Sequence, residues 1–220
     1  SGKAQYGIDT RLPGMLYAVI ARPAVLGGKV KSFDAAAALK VPGVVKVFAL
    51  DGTPPPSEFQ PIGGIVVVAK DTWGAIKGRS LLKIDWDDGA HAGYDSAAFR
   101  TELEAAVQKT GGKAVRNEGD TYAALGKAAK KVTADYYVPH LAHAPMECPA
   151  ATARIKGGAC EVWACTQSPQ AARDRIAKRL NLAPEKVTIN VTLLGGGFGR
   201  KSKADFVVEA ALVSQAMDGQ

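Results

Sequence analysis

The sequence feature that most constrains the fold is a run of glycines between a strand-like and a helix-like segment. Residues 187–194 are rich in β-branched and aliphatic side chains, which predicts a strand. They lead into residues 195–201, which read GGGFGRK, and residues 204–217 then have the composition of a helix. A glycine loop between a strand and a helix presents backbone N–H groups and a positive helix end to an anion. The sequence therefore predicts an anion-binding loop, with a tight connection that binds no ligand as the alternative.

Two common nucleotide-binding loops each fail at one position of this segment. A phosphate loop of the form GxxxxGK[ST] beginning at Gly195 would need glycine where Arg200 stands. A dinucleotide fingerprint GxGxxG beginning at Gly197 would need glycine where Ser202 stands. Lys201 and Ser202 therefore match the last two positions of a phosphate loop, although the segment as a whole does not match that motif.

The histidines near the middle of the chain raise the question of a metal site. His140 and His143 are followed by Glu147, but no glutamate lies between the two histidines, as catalytic zinc helices usually require. Pro139 and Pro145 also argue against one continuous helix. We therefore predict structural roles for these histidines and no metal ligands in this chain.

The three cysteines exclude several classes of site. Cys148, Cys160 and Cys165 have no CxxC spacing, which argues against a zinc ribbon, an iron–sulfur cluster and a disulfide framework. We therefore expect ordinary buried thiols.

Charge and hydropathy limit the kinds of partner and the locations that are expected for this chain. The chain has 28 basic and 21 acidic residues, a net charge of +7, but the basic residues are scattered rather than clustered. That distribution argues against a nucleic-acid partner. No apolar run approaches the roughly 18 residues of a membrane helix, so no transmembrane segment is predicted. The polar first residues do not resemble a signal peptide, and both a cytoplasmic and a periplasmic location remain open.

The remaining pattern predicts an α+β fold. Asp34 and Asp71 are suited to cap helices over residues 35–39 and 73–79. These helices alternate with apolar runs, which predicts a small α+β unit ending near residue 95. The strands expected in this unit are 15–21, 44–50, 65–69 and 81–86.

The second part of the chain has a different character. Pro169 is suited to open a helix over residues 170–180, and Asn181 to end it. The other expected elements are helices over 99–107 and 120–129, a strand over 132–138, and a hairpin of strands 151–155 and 160–164.

Several segments together resemble the xanthine dehydrogenase/aldehyde oxidase family. Residues 194–201 resemble its first molybdopterin-binding loop, in the variant of the isoquinoline 1-oxidoreductase and aldehyde dehydrogenase branch. Gln167, in the segment TQSPQ, precedes Gly197 by thirty positions, as a glutamine does in the family. Residues 141–147, LAHAPME, resemble another block of this branch. The N-terminal segments 6–9, 12–15 and 41–44 are similar to the family's hammerhead domain.

The resemblance implies a division of the chain and a set of cofactor contacts. Residues 1–95 would be a hammerhead-like α/β domain, 96–130 a connecting helical region, and 131–220 the incomplete first part of a molybdopterin-binding domain. It implies no catalytic residue here, because the general-base glutamate is expected beyond residue 220. The implied cofactor-binding residues are Gln167 near an oxo ligand of molybdenum, Gly196, Gly197 and Gly199 for close approach, Phe198 through its N–H, and Arg200 at a phosphate.

The activity implied by the resemblance is that of a molybdenum hydroxylase subunit, inactive as an isolated piece. It would oxidise an aldehyde or an N-heterocycle with water as the oxygen source. Purine oxidation is not expected, because Ser202 stands where xanthine-type members have a glutamate. The implied cofactor is molybdopterin with molybdenum, in its cytosine dinucleotide form. The implied partners are a separate small [2Fe–2S] subunit, a small-molecule substrate and a cytochrome or other electron acceptor.

Two other functions follow from the residues alone. The glycine loop could serve a phosphate- or nucleotide-binding α+β module without molybdenum. The basic surface could instead belong to a non-catalytic scaffold that docks a partner.

Overall fold

The computed structural model describes residues 2–109 and 111–219, which form two compact units. The first unit comprises Ser1–Ala92 and His143–Gln220, and the second comprises Gly93–Ala142. The mixture of helices and sheets confirms the predicted α+β class. The domain boundaries near residues 95 and 130 remain predictions, because a compact unit does not by itself define a family domain.

The N-terminal part of the first unit is organised around one fully buried strand. Every residue of Gly64–Ala69 is buried, as expected for an uninterrupted apolar run in the centre of a sheet. The five strands of this part are β1 (Tyr17–Ala21), β2 (Lys29–Asp34), β3 (Val44–Leu50), β4 (Gly64–Ala69) and β5 (Lys83–Asp87). Strand β4 pairs antiparallel with a neighbour on each side, in the order β1–β4–β3, and β2 pairs with β5 in a separate two-stranded sheet.

One helix covers the three-stranded sheet. Helix α1 (Thr72–Ser80) packs against β1 and β4. Its predicted cap is confirmed, because the Asp71 carboxylate accepts a hydrogen bond from the N–H of Gly74 at 2.7 Å. Trp73, in the first turn of this helix, is 68% exposed.

The helix predicted over residues 35–39 is corrected by the structure. Strand β2 extends to Asp34, and only a 3₁₀ turn, Ala38–Lys40, follows. The Asp34 carboxylate accepts from the N–H of Ala36 at 2.8 Å, which forms a local turn rather than a helix cap. Pro42 and Gly43 follow so closely that no full α-helix fits.

The C-terminal part of the first unit is a three-stranded sheet covered by two helices. Strands β6 (Ala151–Lys156) and β7 (Ala159–Ala164) form the predicted hairpin. Helix α4 (Pro169–Leu180) then leads to β8 (Val187–Val191), which lies parallel to β7. Asn181 ends α4 in the left-handed conformation, with φ of 54°, as predicted.

The closing helix completes this core. Helix α5 (Asp205–Ala216) packs against β6 and α4. Val162, Ile176 and Val207 are fully buried in the core between the sheet and the two helices. The glycine loop lies between β8 and α5, as predicted.

The second unit contains two short helices and an irregular segment. Helices α2 (Ser96–Val107) and α3 (Thr121–Lys127) begin at aspartate caps. The ring of His140 stacks on that of Phe99 at 5.6 Å, which is a structural role. The strand predicted over residues 132–138 was wrong: the segment alternates in hydropathy, but within the described ranges no neighbouring strand pairs with it.

None of the helices in the described ranges is long and apolar enough to cross a bilayer.

Candidate functional site

The glycine loop has a backbone conformation that depends on its glycines. Gly196 and Gly199 have φ values of 94° and 86°, in the region that glycine adopts at no steric cost. Phe198 is also left-handed, with φ of 51°, which is strained for an aromatic residue. The N–H of Arg200 donates to the carbonyl of Gly197 at 2.8 Å and closes the turn. The loop therefore holds Phe198 out from the surface, with 72% of the residue exposed.

The structure brings Gln167 and the glycine loop together, although thirty positions separate them. The N–H of Gln167 donates to the carbonyl of Lys201 at 3.0 Å. A Cβ atom added to Gly197 would lie 2.6 Å from the Gln167 Oε1 atom. Only glycine therefore fits at position 197 while the exposed Gln167 side chain keeps its place.

The loop offers a row of free backbone donors. Among residues 2–109 and 111–219, no hydrogen bond is donated by the backbone N–H groups of residues 196–199. Such a row can receive the oxygen atoms of an anion or of a metal-oxo group. Pro145 lies against the loop at Gly196, where its Cβ would lie 3.3 Å from an added Cβ. The donors and the tight glycine positions fit an oxygen-rich cofactor.

Arg200 is engaged by a carboxylate within the chain. Its two terminal nitrogens donate to the Asp205 carboxylate at 2.8 and 2.7 Å. Asp205 is the first residue of α5, so an acidic side chain already lies at the helix end that the sequence had assigned to an anion. The expected contact of Arg200 with a phosphate remains a prediction, since the guanidinium has further donors beyond those that bind Asp205.

The sequence did not reveal the more deeply buried of the two ion pairs at the loop. Lys201 is fully buried, and its Nζ donates to the Glu147 Oε2 atom at 2.6 Å. The same carboxylate accepts from the N–H of Gly195 at 2.9 Å and from that of Ile8 at 3.2 Å. From the sequence, Glu147 was considered only as a possible metal ligand near His143. Lys201 was considered only as a match to the lysine of a phosphate loop. The only available signal was that both lie in segments resembling one family.

The surroundings of Glu147 shift its pKa in opposite directions. Burial raises it, but the hydrogen bonds from Lys201, Gly195 and Ile8 outweigh burial and hold the pKa below its ordinary value of 4.5. Glu147 is therefore a carboxylate at neutral pH, neutralised by the ammonium beside it.

The cysteines do not form a reactive or metal-binding group. Burial raises the pKa of the Cys160 thiol to about 11 and also raises the pKa of Cys165. Both thiols are therefore protonated at neutral pH. The expectation of buried thiols is confirmed for Cys160 and Cys165 but was wrong for Cys148, which is exposed. The described part of the chain contains no cluster of three histidine, cysteine or acidic side chains that could hold a metal ion.

Comparison with known proteins agrees with the resemblance. The sequence model of the molybdopterin cofactor-binding domain family matches residues 104–219, just over half of the chain, and this span includes Gln167 and the glycine loop. The membrane-bound aldehyde dehydrogenase [pyrroloquinoline-quinone] of Gluconacetobacter polyoxogenes is 33% identical over 223 residues, covering 100% of this chain and 28% of that protein. Isoquinoline 1-oxidoreductase subunit beta of Brevundimonas diminuta is 28% identical over 227 residues, covering 99% of this chain and 28% of that protein.

The fold has solved counterparts as well. The crystal structure of quinoline 2-oxidoreductase from Pseudomonas putida 86 superposes with a TM-score of 0.72 at 20% identity, covering 99% of this chain and 32% of that one. The chain thus spans 28% of the length of the two curated relatives. The name of the Gluconacetobacter protein gives pyrroloquinoline quinone, a cofactor different from the one that names the family. The family match over the site and the agreement of the fold together show that the chain belongs to the molybdopterin cofactor-binding domain family, as a stretch of a xanthine dehydrogenase/aldehyde oxidase-type subunit.

Proposed function

We propose that this chain is part of the molybdenum-binding subunit of a hydroxylase that oxidises an aldehyde or an N-heterocycle with oxygen from water. The main observation in support is that Gln167 lies against Gly197, within the stretch 196–199 whose backbone N–H groups are free. The two substrate classes are those in the names of the aldehyde dehydrogenase and isoquinoline 1-oxidoreductase relatives.

The cofactor-binding roles follow from the chemistry of these groups. The exposed amide of Gln167 can donate to an oxygen ligand of molybdenum, and so can the N–H of Phe198. Gly196, Gly197 and Gly199 carry no side chain that could cover the N–H groups of the loop. Open space lies beside Gly199, whereas Pro145 and Gln167 lie against Gly196 and Gly197. Bound molybdopterin supplies the two-electron oxidation of the substrate carbon. These residues of the chain bind and orient it, while the general base is assigned to another part of the subunit.

Ser202 supports the choice of substrate class. Its hydroxyl donates to the carbonyl of Gly199 at 2.6 Å, so it stabilises the glycine loop itself. A neutral hydroxyl in this role offers no carboxylate to a purine ring. An aldehyde, or an N-heterocycle other than a purine, therefore suits this position better than a purine does.

The finer form of the cofactor and its electron path are part of the proposal. We assign the cytosine dinucleotide form of molybdopterin, with Arg200 at a phosphate. We place the [2Fe–2S] clusters on a separate small subunit, as the family resemblance implies. In this chain Cys148, Cys160 and Cys165 lack the CxxC spacing typical of such clusters. A cytochrome or another acceptor then receives the electrons.

The phosphate- or nucleotide-binding alternative has less support. A phosphate loop needs a lysine that reaches the ligand, but Lys201 is buried and bonded to Glu147. Asp205 also places negative charge at the start of α5, so this helix end is not a free anion site. A cofactor phosphate at Arg200 would depend on the remaining donors of the guanidinium instead.

The test uses the full subunit, produced with its small iron–sulfur partner in a host that makes the cofactor. Molybdenum is measured by elemental analysis, and the pterin by fluorescence after oxidation. We expect stoichiometric molybdenum and activity on aldehydes or N-heterocycles. A folded complex with neither metal nor pterin would overturn the proposal, and a bound quinone in their place would favour the cofactor named for the Gluconacetobacter relative.

A matched pair of variants locates the cofactor on the loop. No atom lies within 4 Å of a Cβ added to Gly199, and both aspartate and asparagine tolerate its left-handed conformation. Gly199→Asp adds a negative charge to the row of donors, whereas Gly199→Asn adds nearly the same volume without charge. We expect Gly199→Asp to lose far more molybdenum and pterin than Gly199→Asn. Equal retention of molybdenum and pterin by the two variants would show that the loop is not part of the cofactor-binding site.

A further inference from the structure

We infer that Glu147 and Lys201 form a buried positioning pair that holds the glycine loop against Gln167 in the conformation that receives the cofactor. The inference rests on the proposed function and adds to it two residues that do not themselves touch the cofactor. Its basis is that one carboxylate fixes both ends of the loop.

The first end of the loop is fixed at Gly195. Its N–H donates to Glu147 Oε2 at 2.9 Å, and its carbonyl accepts from the N–H of Glu147 at 3.0 Å. A Cβ added to Gly195 would lie 2.6 Å from the Cβ of Glu147. The two backbones are therefore in direct contact, and a side chain at position 195 would push them apart.

The second end is fixed at Lys201. Its ammonium bonds to the same Oε2 atom at 2.6 Å, while its carbonyl accepts from the N–H of Gln167 at 3.0 Å and from the hydroxyl of Thr166 at 3.2 Å. One residue thus ties the loop to Glu147 through its side chain and to the Gln167 turn through its backbone. The distance between Gln167 and Gly197 depends on both attachments.

The energetics of burial favour a geometric role over a purely stabilising one. Lys201 has a side-chain exposure of 0% and Glu147 of 5%. The cost of desolvating two charges largely cancels their attraction, so well-packed apolar residues would stabilise the fold as well or better. The ion pair also carries directional hydrogen bonds to Gly195 and Ile8, which apolar residues could not make. Directional contacts to the loop are what the pair adds.

The experiment compares two ion pairs in the same unit of the full subunit with its iron–sulfur partner. Glu147→Gln weakens the positioning pair, and Glu209→Gln weakens the Arg22–Glu209 pair, whose two hydrogen bonds do not involve the loop. Molybdenum content is compared at temperatures chosen so that both variants are equally far below their unfolding midpoints. We expect Glu147→Gln to retain about tenfold less molybdenum than Glu209→Gln, the effect of about 1.4 kcal/mol lost from cofactor binding.

A second variant keeps the test decisive if Glu147→Gln does not fold. Gly195→Ala leaves both charges in place but separates Glu147 from the loop, and we expect it also to lose molybdenum. The control is Gly93→Ala, which should keep its molybdenum because no atom lies within 4 Å of a Cβ added to Gly93. Equal loading of the loop variants and their controls, with a loaded wild type, would overturn this inference and leave the proposed function standing. A wild type without molybdenum would instead overturn the proposed function.

Discussion

Arg22 and Glu209 form a bidentate ion pair, with nitrogen–oxygen distances of 2.7 and 2.5 Å, that ties the end of β1 to the closing helix α5. The two residues are 187 positions apart in the chain. Glu209 is nearly buried, with 6% of its side chain exposed, whereas Arg22 keeps 37%. The pair therefore connects the N-terminal β-sheet region to the element that follows the glycine loop.

Replacing Glu209 with alanine should destabilise this connection. We expect a loss of about 2 kcal/mol, below the cost of breaking a fully buried pair because Arg22 can recover water. Hydrogen exchange in the full subunit would show faster exchange in α5, while Glu185→Ala, at an exposed site, should leave it unchanged. Unchanged protection of α5 in Glu209→Ala would show that the pair contributes no stability.

Arg200 should contribute to cofactor retention beyond its pair with Asp205. If its remaining donors meet a phosphate, Arg200→Gln lowers pterin retention by about tenfold, the effect of one charge-assisted hydrogen bond. Arg154→Gln is the matched control, because Arg154 pairs with Glu161 on the exposed face of the β6–β7 hairpin. Pterin fluorescence after dilution and washing measures the difference. Equal pterin retention by both variants would show that Arg200 only pairs with Asp205 and does not bind the cofactor.

Gln167 should affect turnover more than folding. Its side chain is exposed and contacts Gly197, so Gln167→Ala removes an amide beside the loop without opening a core. We expect kcat/KM per bound molybdenum to fall about 10- to 100-fold, the effect of one hydrogen bond to a charged group. The control Gln215→Ala changes an exposed glutamine on α5 and should keep full activity. An unaltered kcat/KM in Gln167→Ala would show that the Gln167 side chain does not contact the reacting centre.

Local sequence signals predicted most of the elements that position the site. The apolar run of β4, the cap at Asp71, the β6–β7 hairpin and the left-handed end of α4 at Asn181 each depend on residues close in sequence. Such patterns can be interpreted one segment at a time, because the determining contacts lie within a few residues.

Features that depend on distant partners were missed. No strand was predicted over residues 29–34, where β2 forms by pairing with β5, a partner far along the chain. Residues 132–138 have the alternation of a strand, yet without a paired neighbour they stay irregular. The Glu147–Lys201 pair joins residues 54 positions apart, and a lysine is so rarely buried that its sequence position could not suggest it.

The pH dependence of stability should reveal the charge of Glu147. Its folded pKa lies below the ordinary value of 4.5, so the unfolded chain takes up a proton at higher pH than the folded one. The resulting stabilisation is complete above pH 4.5 and is lost as the pH falls below 4.5 through the folded pKa. We expect the urea midpoint of the cofactor-free full subunit to exceed that of Glu147→Gln at neutral pH, and the gap to narrow in acid. Exposed Glu185→Gln should show no such narrowing. A gap that stays constant as the pH is lowered through this range would mean that Glu147 is not held as the charged partner of Lys201.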